Sequence, residues 1–209
     1  NMETIAKMSC NPAMGGVAKG QILREIDALG GMSAIIADES TMQFRMLNTS
    51  KGPAMWSPRT QNDRTQFSLK WREALENNRN IDFIQESVVG ITETNHTVIG
   101  VTTSFGNIYE GHTVILTSGT FMNGIIHIGN TQLKGGRMGD KASYGITEQL
   151  NSLGFQSGRM KTGTPPRVDG RTINYDVLTE QKGDEDPRCF SFRKPHTLTK
   201  QHSCHITYT

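Results

Sequence analysis

The sequence has no uninterrupted apolar run near the roughly 18 residues that a membrane-spanning helix requires. It does not open on a basic segment followed by an apolar stretch, so no secretory signal is read. Cysteine is scarce: Cys10, Cys189 and Cys204 are odd in number, far apart and lack CxxC spacing. That excludes a disulfide framework or a cysteine-built zinc site and favours a reducing, cytoplasmic setting. The six histidines, His196, His202 and His205 among them, show no metal-ligand spacing. Internal repeats and low-complexity tracts are also missing, which sets solenoids aside. A strong charge of either sign is lacking too: the net charge of +2 does not by itself mark a nucleic-acid partner.

What is present is enough for a real core. A chain of 209 residues fits one large domain or two small ones, and 34% hydrophobic residues plus 22 glycines approach the usual apolar share. The modest charge is unevenly spread. Lys134, Arg137, Lys141, Arg159, Lys161, Arg167 and Arg171 face only Asp140, Glu148 and Asp169 in the same span. Asp176, Glu180, Asp184, Glu185 and Asp186 then surround Lys182. Solvated surface is the ordinary reading of both, although the basic span is also suited to phosphate contacts.

Periodicity predicts a helix over Lys19–Leu29, with Ile22, Leu23, Ile26 and Leu29 on one face and Gly30-Gly31 as its stop. Ser57-Pro58 reads as the start of a second helix reaching about Asn77, with Phe67, Trp71, Ala74 and Leu75 buried. A strand is expected from Ile81. A hairpin follows, with Thr97–Phe105 and Asn107–Glu110 joined at Gly106-Asn107. Val114-Ile115-Leu116 reads as a strand buried on both faces, and Ala142–Leu153 as a helix closed by Gly154. This order indicates an α/β fold with a small antiparallel excursion over 81–112. Composition shifts near Arg159, which divides the chain into 1–157 and 158–209. His205–Thr209 is strand-like, and the chain reads as an excised piece.

Four motifs carry possible chemistry. SCNPAMGGVAKG (9–20) has the glycine gap of a phosphate loop, but Lys19 precedes Gly20 instead of following it, and G-x-G-x-x-G is absent. A triphosphate cradle is therefore disfavoured. Cys10 is either a small packed hydrophobe or a thiol activated by a helix entrance and Lys19, with Gly15 and Gly16 allowing a flat ligand to approach. Thr117, Ser118, Gly119 and Thr120 are either an ordinary strand exit or a place for a cofactor at a strand's carboxyl end. GGRMGD (135–140), with Arg137, and KTGTPPR (161–167), with Lys161 and Arg167, are either flexible loops or anion contacts.

Together with EIDALGG (25–31), MQFRMLNTSKGPA (42–54) and TSGTFMNGIIHIG (117–129), these blocks occur in an order that closely resembles the MnmG family, also called GidA. The resemblance spans essentially the whole chain. It implies part of a FAD-binding, Rossmann-like fold of the glutathione-reductase type over 1–157 and the start of an inserted α/β domain over 158–209. It implies an enzyme that uses FAD, NADH and methylenetetrahydrofolate to add a carboxymethylaminomethyl or aminomethyl group to C5 of tRNA wobble uridine. The MnmE GTPase would be its partner, as a homodimer within a heterotetramer. Cys10 matches a catalytic cysteine, Val88 and Ser143 match FAD contacts, and Thr117–Thr120 match the strand end beside the flavin. Ala18 stands where the family usually has glycine. The N-terminal pyrophosphate fingerprint, a second cysteine in a Tyr-Cys-Pro-Ser context and a C-terminal helical domain are not in this sequence. The chain alone is therefore expected to be inactive and to purify without flavin colour. Rival expectations are a folate- and FAD-dependent tRNA uridine methyltransferase, or a non-catalytic module that presents a basic surface to tRNA or a partner.

Overall fold

The computed structural model describes residues 1–208; Thr209 lies outside the described residues, so the strand expected over 205–209 is judged without it. The chain forms two compact units. One comprises Phe83–Thr162 with Asn1, and the other joins Met2–Asp82 to Gly163–Thr209. This division differs from a break at 157/158, because the segment after 163 supplies core residues to the first 82. Phe190 is the clearest: it is fully buried in a cluster with Leu23, Ala34 and Ala37, with Met14 packed against it.

In the discontinuous unit, β1 (Ala13–Gly15), β2 (Thr41–Leu47) and β3 (Ser57–Asn62) form an antiparallel sheet in the order β1-β3-β2. Helices α1 (Lys19–Ala28), α2 (Ser33–Glu39) and α3 (Arg64–Glu76) accompany it. Alternation along the strands sets two faces. Phe44, Pro58, Thr60 and Asn62 are buried on the core side, where the Phe44 ring meets Phe190 edge-on at 6.4 Å. A smaller pair, β9 (Thr179–Gln181) with β10 (Cys204–Ile206), completes this unit.

Several expectations fail here for identifiable reasons. The buried positions of α1 are Gly20, Leu23 and Asp27, while Ile22, Ile26 and Leu29 are exposed. Ser57–Asn62 is a strand, not a helix start. Helix α3 begins after Asp63, whose carboxylate accepts from the Thr65 and Gln66 amides at 2.8 and 2.9 Å as an N-cap. Of the four residues expected on its buried stripe, Phe67 is fully buried and the others are half-exposed.

In the other unit, β4 (Val88–Thr94), β5 (Thr97–Thr103) and β6 (Ile108–Glu110) form an antiparallel meander. The expected hairpin is present, turning over Ser104–Asn107, where Gly106 takes φ +82°. The strand expected at Ile81 is not formed; residues 81–87 run irregularly into β4. Val114–Leu116 is likewise not a strand, and Ile115 is 85% exposed. No described segment offers these residues a ladder, and an apolar run without a hydrogen-bonding neighbour has no reason to stay extended and buried. A hairpin of β7 (Ile125–Ile128) and β8 (Thr131–Lys134) follows. Helix α4 (Ile146–Ser152) is shorter than expected because Gly145, at φ +103°, breaks the chain before it. The fold is thus mixed α/β with small antiparallel sheets. Among the described residues, no helix is long and apolar enough to cross a membrane.

Ala18 heads α1 at φ 62°, a left-handed conformation that strains any residue with a Cβ. Ala18→Gly is expected to stabilise this unit by roughly 0.5–1 kcal/mol, the relief being partly offset by the greater freedom of glycine in the unfolded chain. A urea midpoint followed by tryptophan fluorescence measures it, since Trp56 and Trp71 both lie in this unit. A lower midpoint would refute the strain argument.

Candidate functional site

The segment carrying Cys10 is held from several directions. The Pro12 carbonyl accepts from the Asn62 amide at 2.6 Å, and the Gly16 amide donates to the Pro58 carbonyl at 2.8 Å. The Cys10 carbonyl accepts from Arg64 at 3.0 Å and also from Arg167. Its thiol, half-buried, donates to the Gly163 carbonyl at 3.2 Å. The cations anchored at this residue are therefore Arg64 and Arg167, while Lys19 is exposed. Two guanidinia on one carbonyl fix the loop and the position of the thiol it carries.

The two glycines of this segment differ. A Cβ on Gly15 would lie 2.2 Å from the Pro58 carbonyl oxygen and 2.5 Å from the Phe190 ring, so its bareness serves the protein's own packing. A Cβ on Gly16 would meet nothing within 4 Å, although its φ of +93° still favours glycine. Gly16, although buried, is thus not required to be bare by the protein's own packing.

In the other unit, the Ser143 amide donates to the Phe121 carbonyl and its carbonyl accepts from the Asn123 amide, both at 2.8 Å. This parallel bridge places Ser143 beside the end of Thr117–Thr120. The Thr120 hydroxyl donates to the Gly136 carbonyl at 2.7 Å, which adds the 135–140 loop to the same cluster. Val88 begins β4. The next residue, Val89, approaches Gly145 so closely that a Cβ there would lie 2.5 Å from the Val89 carbonyl oxygen. Ser143 thus lies beside the residues that follow Thr117–Thr120, and Val88 starts the strand that passes Gly145. Thr117, Gly119 and Thr120 are exposed, and Gly119 has open space where a Cβ would point. Small residues and open backbone fit close approach by a flat cofactor.

The basic candidates divide differently. Arg137 is ion-paired with Asp140 and lies 5.8 Å from the Phe121 ring centroid, so its charge is largely answered within the protein. Lys161 is exposed, and Arg167, also exposed, is committed to the Cys10 carbonyl. Among the described residues, no cluster of His, Cys, Asp or Glu is arranged to hold a metal ion.

The model of the family described as glucose inhibited division protein A matches residues 1–209. The chain belongs to this family. Among curated GidA-family relatives, the chain is 65% identical over 210 residues to a protein of Cytophaga hutchinsonii. It is 58% identical over 210 residues to one of Christiangramia forsetii. Both are named tRNA uridine 5-carboxymethylaminomethyl modification enzyme MnmG. Each alignment takes in all of this chain but 34% of the relative, so the chain spans about a third of the length of these proteins. The solved structure of Aquifex aeolicus GidA superimposes with a TM-score of 0.93 at 42% identity, covering 98% of this chain and 35% of that one.

For a GidA chain, the residue that sequence reasoning passed over is Arg64. Reading 57–77 as one helix buried the true helix start and made Arg64 an ordinary surface cation. Asn62-Asp63, a pair of strong capping residues ahead of a polar first turn, was the available signal.

Proposed function

We propose that this chain forms part of an enzyme that modifies C5 of the tRNA wobble uridine, with Cys10 as its nucleophile. The observation that carries this reading is the Cys10 thiol on a segment pinned by Arg64 and Arg167, in a chain matched along its whole length by MnmG enzymes. Uracil C5 becomes nucleophilic when a thiolate adds at C6 and electron density moves to C5. C5 then takes up the one-carbon unit. Loss of the C5 proton and expulsion of the thiolate restore the ring, so Cys10 returns unchanged. Arg64 and Arg167 hold the cysteine backbone through this cycle.

FAD suits Val88, Thr117, Ser118, Gly119, Thr120 and Ser143; when bound it supplies the redox chemistry that side chains lack. NADH as reductant, methylenetetrahydrofolate as carbon donor and MnmE as partner complete the reading, in a cytoplasmic enzyme working as a homodimer within a heterotetramer. Lys161 would remain available to tRNA phosphates. The chain alone would be inactive.

The test is nucleoside analysis of tRNA treated with the protein at the length of its relatives, with NADH, the folate, glycine or ammonium as the amine that the one-carbon unit takes up, and MnmE with GTP. The expected product is 5-carboxymethylaminomethyl or 5-aminomethyl uridine, lost in Cys10→Ser while the fold is retained. Unimpaired product from Cys10→Ser would remove the cysteine's role. A 5-methyluridine product would instead point to the methyltransferase reading.

A further inference from the structure

The sheet of the discontinuous unit turns a second face away from Phe44 and Phe190, and that face carries charge. In the β2–β3 register Gln43 lies opposite Gln61 and Arg45 opposite Arg59. Directly opposed residues on an antiparallel pair project to the same side, with Cβ atoms about 5 Å apart, and like charges there repel. Two guanidinia are nonetheless placed so, both half-buried. Among the described residues, neither has a carboxylate within 4 Å. The Arg45 Nε is shielded from solvent and has no hydrogen-bond partner.

These side chains line a polar cleft whose other walls include Gln181 and Cys204. Its floor is fixed: the Gln43 amide donates to the Gln181 carbonyl at 2.9 Å and accepts from the Cys204 thiol at 3.2 Å. The cleft thus presents unanswered donors and paired positive charge on a rigid base, and offers the arginines no internal anion.

We propose that Arg45 and Arg59 form a binding site for a phosphate group, with the Gln61 amide at its edge. A phosphate oxyanion bridges two planar guanidinia by parallel N–H···O bonds and removes their mutual repulsion in one step. Two guanidinia carried on directly opposed strand positions suit a compact, multiply charged oxyanion, which can accept from both at once, better than a carboxylate. The same chemistry is offered by a free or nucleotide terminal phosphate and by a nucleic-acid phosphodiester. The site is independent of the uridine chemistry proposed above and stands or falls without it.

The test uses the whole protein with inorganic phosphate, adenosine 5′-monophosphate and a short oligoribonucleotide lacking a terminal phosphate. Calorimetry is expected to show phosphate binding weakened about tenfold or more in Arg45→Gln and in Arg59→Gln. Arg171→Gln, in which an exposed arginine paired with Asp169 is changed, should bind like the wild type. Without ligand, each glutamine variant should melt higher than the wild type, because the like-charge pair is gone. Should a variant fail to fold, the wild-type protein still decides, through movement of the Arg45 and Arg59 Nε–H resonances on titration with phosphate. Binding of the mononucleotide alone names a terminal phosphate as the occupant; binding of the oligonucleotide names a phosphodiester. Absence of phosphate binding at millimolar concentration, wild-type affinity in both glutamine variants, or unmoved arginine resonances would overturn the proposal.

Discussion

Phe190→Ala is expected to destabilise the discontinuous unit by about 4 kcal/mol, within the roughly 3–5 kcal/mol usual for phenylalanine truncated in a packed core. Phe190 is fully buried, and its ring touches elements far apart in sequence: Leu23 of α1, Ala34 and Ala37 of α2 and Phe44 of β2. The space where a Gly15 Cβ would sit is also filled by this ring. Those neighbours are held by helices and a sheet, so they cannot collapse into the void, and most of the cavity cost remains. Phe190→Leu keeps most of the volume and should lose about 1–2 kcal/mol. Urea unfolding read by Trp56 and Trp71 measures both changes. An unchanged midpoint in Phe190→Ala would show that the 163–209 segment does not close this core.

Asp27→Asn should cost about 2–3 kcal/mol near neutral pH, a loss typical of hydrogen bonds to a buried charged acceptor. Asp27 is fully buried and accepts from the Ser191 hydroxyl and the Phe192 amide, both at 2.9 Å, with Arg193 at 3.3 Å. Asparagine keeps the shape but points an NH2 at one of these donors. Burial works against ionisation of Asp27, yet the bonds from Phe192, Ser191 and Arg193 together hold its carboxyl below the ordinary range. Asp38 goes the other way. Burial raises it despite amide bonds from Phe190 and Ser191 at 2.8 Å each.

The two acids therefore give opposite pH dependence. Asp27 binds fewer protons folded than unfolded. Its stabilisation is complete above the unfolded value of about 4 and is lost as pH falls through its lower folded value. Asp38 binds more protons folded, so its contribution declines as pH rises from about 4 through its raised folded value. The advantage of the wild type over Asp27→Asn should shrink on acidification below about pH 4. Asp38→Asn should cost less than Asp27→Asn at neutral pH, where the ionised Asp38 is itself penalised by burial. Urea midpoints across the acid range test this pair; an Asp27→Asn deficit that stays constant to low pH would sink the assignment.

The sequence by itself determined the elements that local chemistry controls. Helix α1 begins at Lys19 and stops before Gly30, which adopts φ +99°, and the β5–β6 hairpin turns at Gly106; both rest on short-range backbone preferences. Ordered blocks also made the family legible, and they singled out Cys10 before any geometry was available. Periodicity failed wherever burial was polar. It selected Ile22 and Ile26 over Asp27 because apolar spacing cannot register a carboxylate buried to receive the amides of a distant segment. Helical pattern around Phe67 likewise absorbed Ser57–Asn62, whose strand character exists only through pairing with β1 and β2.

The tertiary structure alone decided that 163–209 returns to the first 82 residues. It also decided that Arg64 and Arg167 meet at the Cys10 carbonyl and that Arg45 faces Arg59. Each of these depends on sequence separation closed by the fold: 54 and 157 residues for the two arginine contacts to Cys10. No local preference encodes such contacts. They follow from the burial of Phe190 and from strand register, quantities that take definite values only once the whole unit has packed.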